Sequence, residues 1–337
     1  MNDSKSSNHF DVVVIGAGFA GMYMLHKLRE TGLKTIVLEA GSGVGGTWYW
    51  NRYPGARCDV PSMEYSYSFS SELQRDWDWS EVMAGQDEIL KYAEHVADRF
   101  DLRRDIEFDT QVKSAHYEET HQTWLINTEP GITYESRYCI MATGCLSVTN
   151  TPKIPGAENF NGPIYHTGQW PHEGVDFHDV SVGIIGTGSS GIQAIPVIAE
   201  QAKHLTIFQR TPNYTMPAHN KPLTSEFREK ARANYDQIRA DQRASLAGIV
   251  SYGFGFGGAD LVTPTETLKN TTSKERSKLV EEHGFAAFRT FLDVGIDPDA
   301  NEMACEMYRQ HLATIIEDPK TAEGLTVSYT HLTLPTK

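Results

Sequence analysis

The chain has 337 residues, 39% hydrophobic and 22% charged, an ordinary composition for a soluble globular protein with length for about two domains. Its 30 basic and 44 acidic side chains leave a formal net charge of −14, which disfavours nucleic acid and anionic membrane as partners. No apolar run approaches the roughly 20 residues of a membrane span, and the opening MNDSKSSNHF has no apolar signal region, so a cytoplasmic protein is expected.

The first element is a βαβ unit. Residues 10–21, FDVVVIGAGFAG, read as strand, tight turn and helix start; residues 22–30 continue the helix, Gly32 ends it, and residues 34–39 form the second strand. Residues 87–100 have helical spacing. Short alternating runs follow from 106 to 144, with strands expected at 124–128 and 138–142. The proline- and glycine-rich stretch 149–162 reads as a linker. A second strand–turn–helix begins at 182–191. Residues 224–246, 276–292 and 298–316 look helical, and the glycine-rich stretch 248–258 reads as a mobile loop. The expected class is α/β, with two dinucleotide-binding (Rossmann-like) domains and a helical insertion in the second. The expected boundaries are 1–149 for the first, 150–178 for a linker, 179–223 for the second and 224–326 for the insertion. The four cysteines (Cys58, Cys139, Cys145, Cys305) form no C-x-x-C pair and no metal-type spacing, which fits a reducing compartment and no metal site.

Both turn motifs carry nucleotide chemistry. In the first, Gly16 permits the tight turn, Gly18 lets the backbone approach a pyrophosphate, and Gly21 lets helix pack close to strand. The helix N-terminus then faces the phosphates. Glu39 closes the second strand 23 positions after Gly16, where a carboxylate suits a ribose diol. Residues 45–59 are dense in glycine, aromatics and charge, a composition suited to a flat isoalloxazine ring and so to FAD. The second motif runs Gly186-Thr187-Gly188-Ser189-Ser190-Gly191, a cradle for another pyrophosphate. Counting 23 positions from Gly186 reaches Gln209, then Arg210 and Thr211. An amide followed by a guanidinium accepts a 2′-phosphate that a carboxylate would repel, so this site reads as NADP rather than NAD. Gln193 is expected to be a helix-side coenzyme contact.

Between the two motifs lies FNGPIYHTGQWP, residues 160–171, in the pattern F-x-G-x-x-x-H-x-x-x-W-P. With a GxGxxG on each side, this run resembles the fingerprint of the type I Baeyer–Villiger monooxygenases. The resemblance runs from about residue 10 to 325 and looks closest to the phenylacetone and cyclohexanone monooxygenase branch. Residues 45–59 match a further family motif, G-G-x-W-x-x-x-x-Y-P-G-x-x-x-D. The resemblance implies that Gly46, Thr47, Trp48, Tyr49 and Trp50 lie along the flavin, and that Arg57, Cys58 and Asp59 sit where flavin meets nicotinamide. Tyr65 would be a further flavin contact, and Val112 would meet adenine through its backbone. Residues 141–144, Met-Ala-Thr-Gly, resemble the strand-end ATG of two-dinucleotide flavoproteins.

The implied activity is conversion of a ketone to an ester or lactone with NADPH, FAD and O2 through a C4a-peroxyflavin. Asp59 would anchor a catalytic arginine. His166 and Trp170 would act functionally by coupling domain motion, not as acid or base. In the family that arginine sits in a K-R segment soon after D-P-x-x-A-E-x-L. Residues 318–325 match that pattern, but no K-R segment follows, and the tail from about 327, VSYTHLTLPTK, resembles a translated sequencing adapter. The natural chain is therefore expected to continue, with the C-terminal part of the fold missing here and the 337-residue chain inactive alone. Two alternatives stand: an N- or S-oxygenating flavin-containing monooxygenase, and a non-catalytic nucleotide-binding fragment. Trp170-Pro171 disfavours the first, because those relatives usually carry tyrosine or phenylalanine after the histidine.

Overall fold

The structure, a computed structural model, describes residues 8–129, 131–213, 215, 220–244, 267–283, 291 and 293–325. The stretch 248–258 and the tail from 327 lie outside the described residues. In chain order the elements are β1 (His9–Ile15), α1 (Phe19–Arg29), β2 (Thr35–Leu38), α2 (Thr47–Trp50), α3 (Ser71–Asp76), α4 (Gln86–Arg99), β3 (Ile106–Glu107), β4 (Val112–Glu118), β5 (Thr123–Thr128) and β6 (Thr133–Met141). Then come β7 (Ser181–Ile185), α5 (Ser189–Ala199), β8 (His204–Phe208), α6 (Ser225–Ala244), α7 (Ser273–His283), α8 (Pro298–Ile315) and α9 (Pro319–Leu325). By packing, the chain divides into two units: Met1–Ala56 with Gly85–Val175, and Arg57–Ala84 with Asp176–Lys337. The α/β class and the two Rossmann-like starts read from the sequence are present.

The first unit is built on one sheet in the order β3-β2-β1-β6-β5-β4. β3, β2, β1 and β6 run parallel, while β5 is antiparallel to β6 and to β4. Alternation along β1 sends its valines to opposite faces. Val12 and Val14 pack with Met22 and Leu25 of α1 and with Ala93 and Ala97 of α4. Val13 packs on the other side with Leu38, Ile126 and Tyr134. Both faces are covered, so β1 reads as a continuous apolar run, as parallel strands do. β1 and β6 end side by side, in register from His9 with Glu135 to Ile15 with Met141. Their carboxyl ends are where open α/β sheets bind ligands.

In the second unit β7 and β8 pair in parallel, with α5 as the crossover between them. Ala194 and Ile198 are the buried residues of α5. The segment Arg57–Ala84 packs here, not with the strands that flank it in sequence. It pairs antiparallel with residues 221–223, through Val82 N–H to Lys221 O at 3.0 Å and Leu223 N–H to Ser80 O at 2.8 Å. It also holds α6, whose buried Arg239 donates to Gln74 Oε1 and Ser66 Oγ, each at 2.7 Å. The side chains of α8 pack on Leu268, Phe291 and Val294. The helix expected over 276–292 starts earlier, at Ser273, and is described to His283. Among the described residues no helix is long and apolar enough to cross a membrane.

Candidate functional site

The first nucleotide loop leaves β1 at Gly16, whose φ of +101° needs glycine. A Cβ on Gly21 would lie 1.8 Å from Gly16 O, so helix and loop touch backbone to backbone. α1 starts at Gly18 with no side-chain cap, leaving first-turn N–H groups for a ligand. Glu39 is buried and already engaged: Oε2 accepts from Ala17 N–H at 2.6 Å and Oε1 from Gly41 N–H at 2.8 Å. Each oxygen keeps a further lone pair. Glu39 therefore shapes the loop.

The glycine doublet of the aromatic run packs directly on that loop. Gly45 N–H donates to Ala17 O at 3.1 Å, and a Cβ on Gly46 would lie 2.8 Å from Gly18 Cα. Thr47, Trp48, Tyr49 and Trp50 follow as α2, one turn long. Trp48 is buried, and its carbonyl accepts from Gln86 Nε2 at 2.5 Å. Tyr49 is committed to scaffolding. Its phenol oxygen meets Ser42 Oγ at 2.7 Å, and its ring fills the space beside Gly41 and Gly43. Trp50 and His172 pack edge-on against that ring at 4.9 and 5.3 Å. The ATG loop closes the other side: Ala142 N–H donates to Ile15 O at 2.9 Å, and a Cβ on Gly16 would lie 2.6 Å from Ala142 O. Val112 opens the edge strand β4 at a register shift and packs against the cluster around Val13.

In the fingerprint, His166 and Trp170 flank a single 3-10 turn, Thr167–Gln169. His166 Nδ1 accepts from Gly168 N–H at 3.0 Å, so that nitrogen is occupied by the backbone. Trp170 is buried against Tyr165, ring centroids 5.6 Å apart.

Arg57, Cys58, Asp59 and Tyr65 belong to the second unit, with the second nucleotide loop. Arg57 Nη1 pairs with Glu81 Oε2 at 3.1 Å and donates to Met83 O at 3.3 Å. Asn220 donates to the same carboxylate. Burial pushes the Cys58 thiol up to about 11. Gln193 on α5 reaches both ends of the Arg57–Asp59 strip: it accepts from Arg57 N–H at 3.3 Å and donates to Arg57 O at 3.1 Å and Asp59 Oδ1 at 3.0 Å. Tyr65 N–H donates to Pro61 O at 2.9 Å.

The second loop repeats the first. Gly186 has φ +103°, and a Cβ on Gly191 would lie 2.4 Å from Gly186 O. Ser189, Ser190 and Gly191 form the first turn of α5, again with no side-chain cap at Gly188. A Cβ on Gly188 would meet nothing within 4 Å, so this backbone is open to close approach by a pyrophosphate. Thr187 is buried; its Oγ1 donates to Gln209 Oε1 at 3.2 Å and its carbonyl accepts from Asn213 Nδ2 at 3.1 Å. Gln209 Nε2 continues to Gly324 O of α9 at 2.9 Å. Both ends of that amide are used, and the neighbouring Arg210 and Thr211 are exposed. Sequence reasoning missed the bridging role of Gln209, the part of Asn213 and the Glu81–Asn220 support of Arg57. The close backbone contact at Gly21 was signalled in advance by the loop motif.

Residues 13–252 match the family model described as pyridine nucleotide-disulphide oxidoreductase. The chain is 44% identical over 324 residues to a Baeyer-Villiger monooxygenase from Pseudooceanicola batsensis, covering 94% of this chain and 57% of the relative. It is 41% identical over 328 residues to a phenazine N-monooxygenase from Lysobacter antibioticus, covering 95% of this chain and 59% of the relative. The solved structure of cyclohexanone monooxygenase from Rhodococcus sp. Phi1 bound to NADP+ superposes with a TM-score of 0.89 at 41% identity, covering 98% of this chain and 61% of that one. The chain thus spans about 60% of the length of the relatives it matches. The resemblance to Baeyer–Villiger monooxygenases read from the sequence holds.

Proposed function

The chain belongs to the pyridine nucleotide-disulphide oxidoreductase family, and from its likeness to Baeyer–Villiger relatives we propose that it serves a Baeyer–Villiger monooxygenase. FAD binds the first loop and NADPH the second, and a small ketone becomes an ester or lactone with one oxygen atom from O2. The observation that carries this reading is the pair of like-built nucleotide loops with unlike ribose positions, Glu39 on one and Gln209-Arg210 on the other. When bound, FAD supplies the redox and oxygen-activating chemistry.

The chain's own residues bind and orient. The uncapped first turns of α1 and α5 receive the two pyrophosphates. Glu39 faces the FAD ribose, and Arg210 with Thr211 grips the 2′-phosphate. The backbone of Gly45 and Gly46 lies against the first loop, which suits a flavin beside it. Asp59 anchors a cationic side chain that offsets developing negative charge. His166 and Trp170 hold a turn between the nucleotide-binding segments instead of moving protons, in keeping with the occupied Nδ1 of His166. A cytoplasmic location belongs to this reading and is supported by four free cysteines.

A second reading, N-oxygenation, is favoured by the likeness to the phenazine N-monooxygenase. The test is turnover by the full-length protein with NADPH under 18O2 on a panel of ketones and aromatic nitrogen heterocycles. Esters or lactones carrying one labelled oxygen support the first reading. Labelled N-oxides alone transfer the chain to the second.

A further inference from the structure

We propose that Gln193 is a positioning residue that fixes the Arg57–Asp59 strip, instead of a coenzyme contact. The proposal rests on the reading above that Asp59 serves the reaction. Gln193 lies one turn into α5, directly after the second nucleotide loop. Its carboxamide oxygen accepts from Arg57 N–H at 3.3 Å, and its nitrogen donates to Arg57 O at 3.1 Å and to Asp59 Oδ1 at 3.0 Å. Only an amide both accepts from a peptide N–H and donates to a carboxylate at this length; glutamate lacks the donor and lysine lacks the acceptor. From the other side Arg57 is held by Glu81 and Met83 O. Asp59 itself is exposed. An exposed carboxylate without a donor would spread over its rotamers, so Gln193 gives it one direction. The amide thereby ties Asp59 to the helix whose first turn receives the coenzyme.

Cys58 reports on the strip from inside. It is buried between the two held residues, and its thiol stays protonated far above neutral pH. Alkylation by iodoacetamide at pH 8 is therefore slow while the strip is held and fast when it opens. The rate is followed by peptide mass spectrometry on the purified 337-residue chain, with the exposed Cys145 as internal reference.

Gln193→Leu should raise the Cys58 rate about tenfold or more, the equivalent of losing a hydrogen bond to a charged group. Gln193→Glu keeps the shape but sets a carboxylate against Asp59 and should open the strip further. Gln193→Glu with Asp59→Asn restores the pairing with residue 59 but leaves Arg57 O without its donor, so the rate should fall partway back, clearly below that of Gln193→Glu alone. That rescue reads a specific pairing, so it serves even where the leucine variant folds poorly. A wild-type Cys58 rate in Gln193→Leu, or no rescue in the double variant, overturns the proposal. In ketone turnover by the full-length protein the leucine variant should lower kcat and leave KM for NADPH within about threefold; a raised KM with intact kcat would put Gln193 on the coenzyme. The labelling experiment uses neither coenzyme nor substrate, so its failure is distinct from failure of the oxygenation reading.

Discussion

Gly188 and Gly191 sit three residues apart in one loop, yet alanine should act on them in opposite ways. Gly188 has φ −73° and ψ −176°, an extended conformation open to any residue, and a Cβ there would meet nothing within 4 Å. Gly188→Ala should therefore leave the fold intact and raise its stability by about 0.4–1 kcal/mol, through lower unfolded-state entropy. The same methyl would stand between the pyrophosphate and the first-turn N–H groups of α5. Losing one charge-assisted hydrogen bond costs about 1.5–3 kcal/mol, or roughly a 10- to 150-fold weaker NADP+ affinity. At Gly191 a Cβ would lie 2.4 Å from Gly186 O, a backbone atom that cannot swing aside. Gly191→Ala should cost about 1–3 kcal/mol or more as helix and loop are forced apart. Urea unfolding gives the stability of each variant, and calorimetric titration with NADP+ gives its affinity. Wild-type NADP+ affinity in Gly188→Ala would refute the placement of the pyrophosphate at this loop.

In the full-length protein Arg210→Ala should weaken NADPH by about 1.5–3 kcal/mol in kcat/KM and spare NADH, and an equal loss with both coenzymes would remove Arg210 from the 2′-phosphate. Glu39→Ala leaves the N–H groups of Ala17 and Gly41 without their carboxylate, at about 1–3 kcal/mol each; FAD binding, followed by flavin fluorescence, should fall with stability. Cys58 gives an alkaline signature. Burial raises its thiol from 9.0 to about 11, so its contribution is complete below pH 9 and is lost as pH rises towards 11. That window holds about 2–3 kcal/mol, and Cys58→Ala should flatten it in unfolding measured from pH 8 to 11.

Much of this protein is written locally. The valine run of β1, the turn glycines Gly16 and Gly186, and the apolar spacing of α1 and α4 each identify an element from a few neighbouring residues, because strand pleat, turn torsion and helical period are short-range properties. Counting 23 positions from each loop glycine reaches Glu39 and Gln209, and both lie in hydrogen-bonding reach of their loops, since a βαβ unit has a nearly fixed length. Tertiary structure alone decided the rest. Nothing near residue 57 says that Arg57–Ala84 packs with α5 and α6, or that Gln193, 136 residues away, holds Arg57 and Asp59. The resemblance puts Tyr49 along the flavin, but only the tertiary structure sets its hydroxyl on Ser42 and its ring beside Gly41 and Gly43. Side-chain hydrogen bonds have short reach, so their partners are fixed only when distant elements dock, and docking depends on the whole packed surface and not on any local pattern.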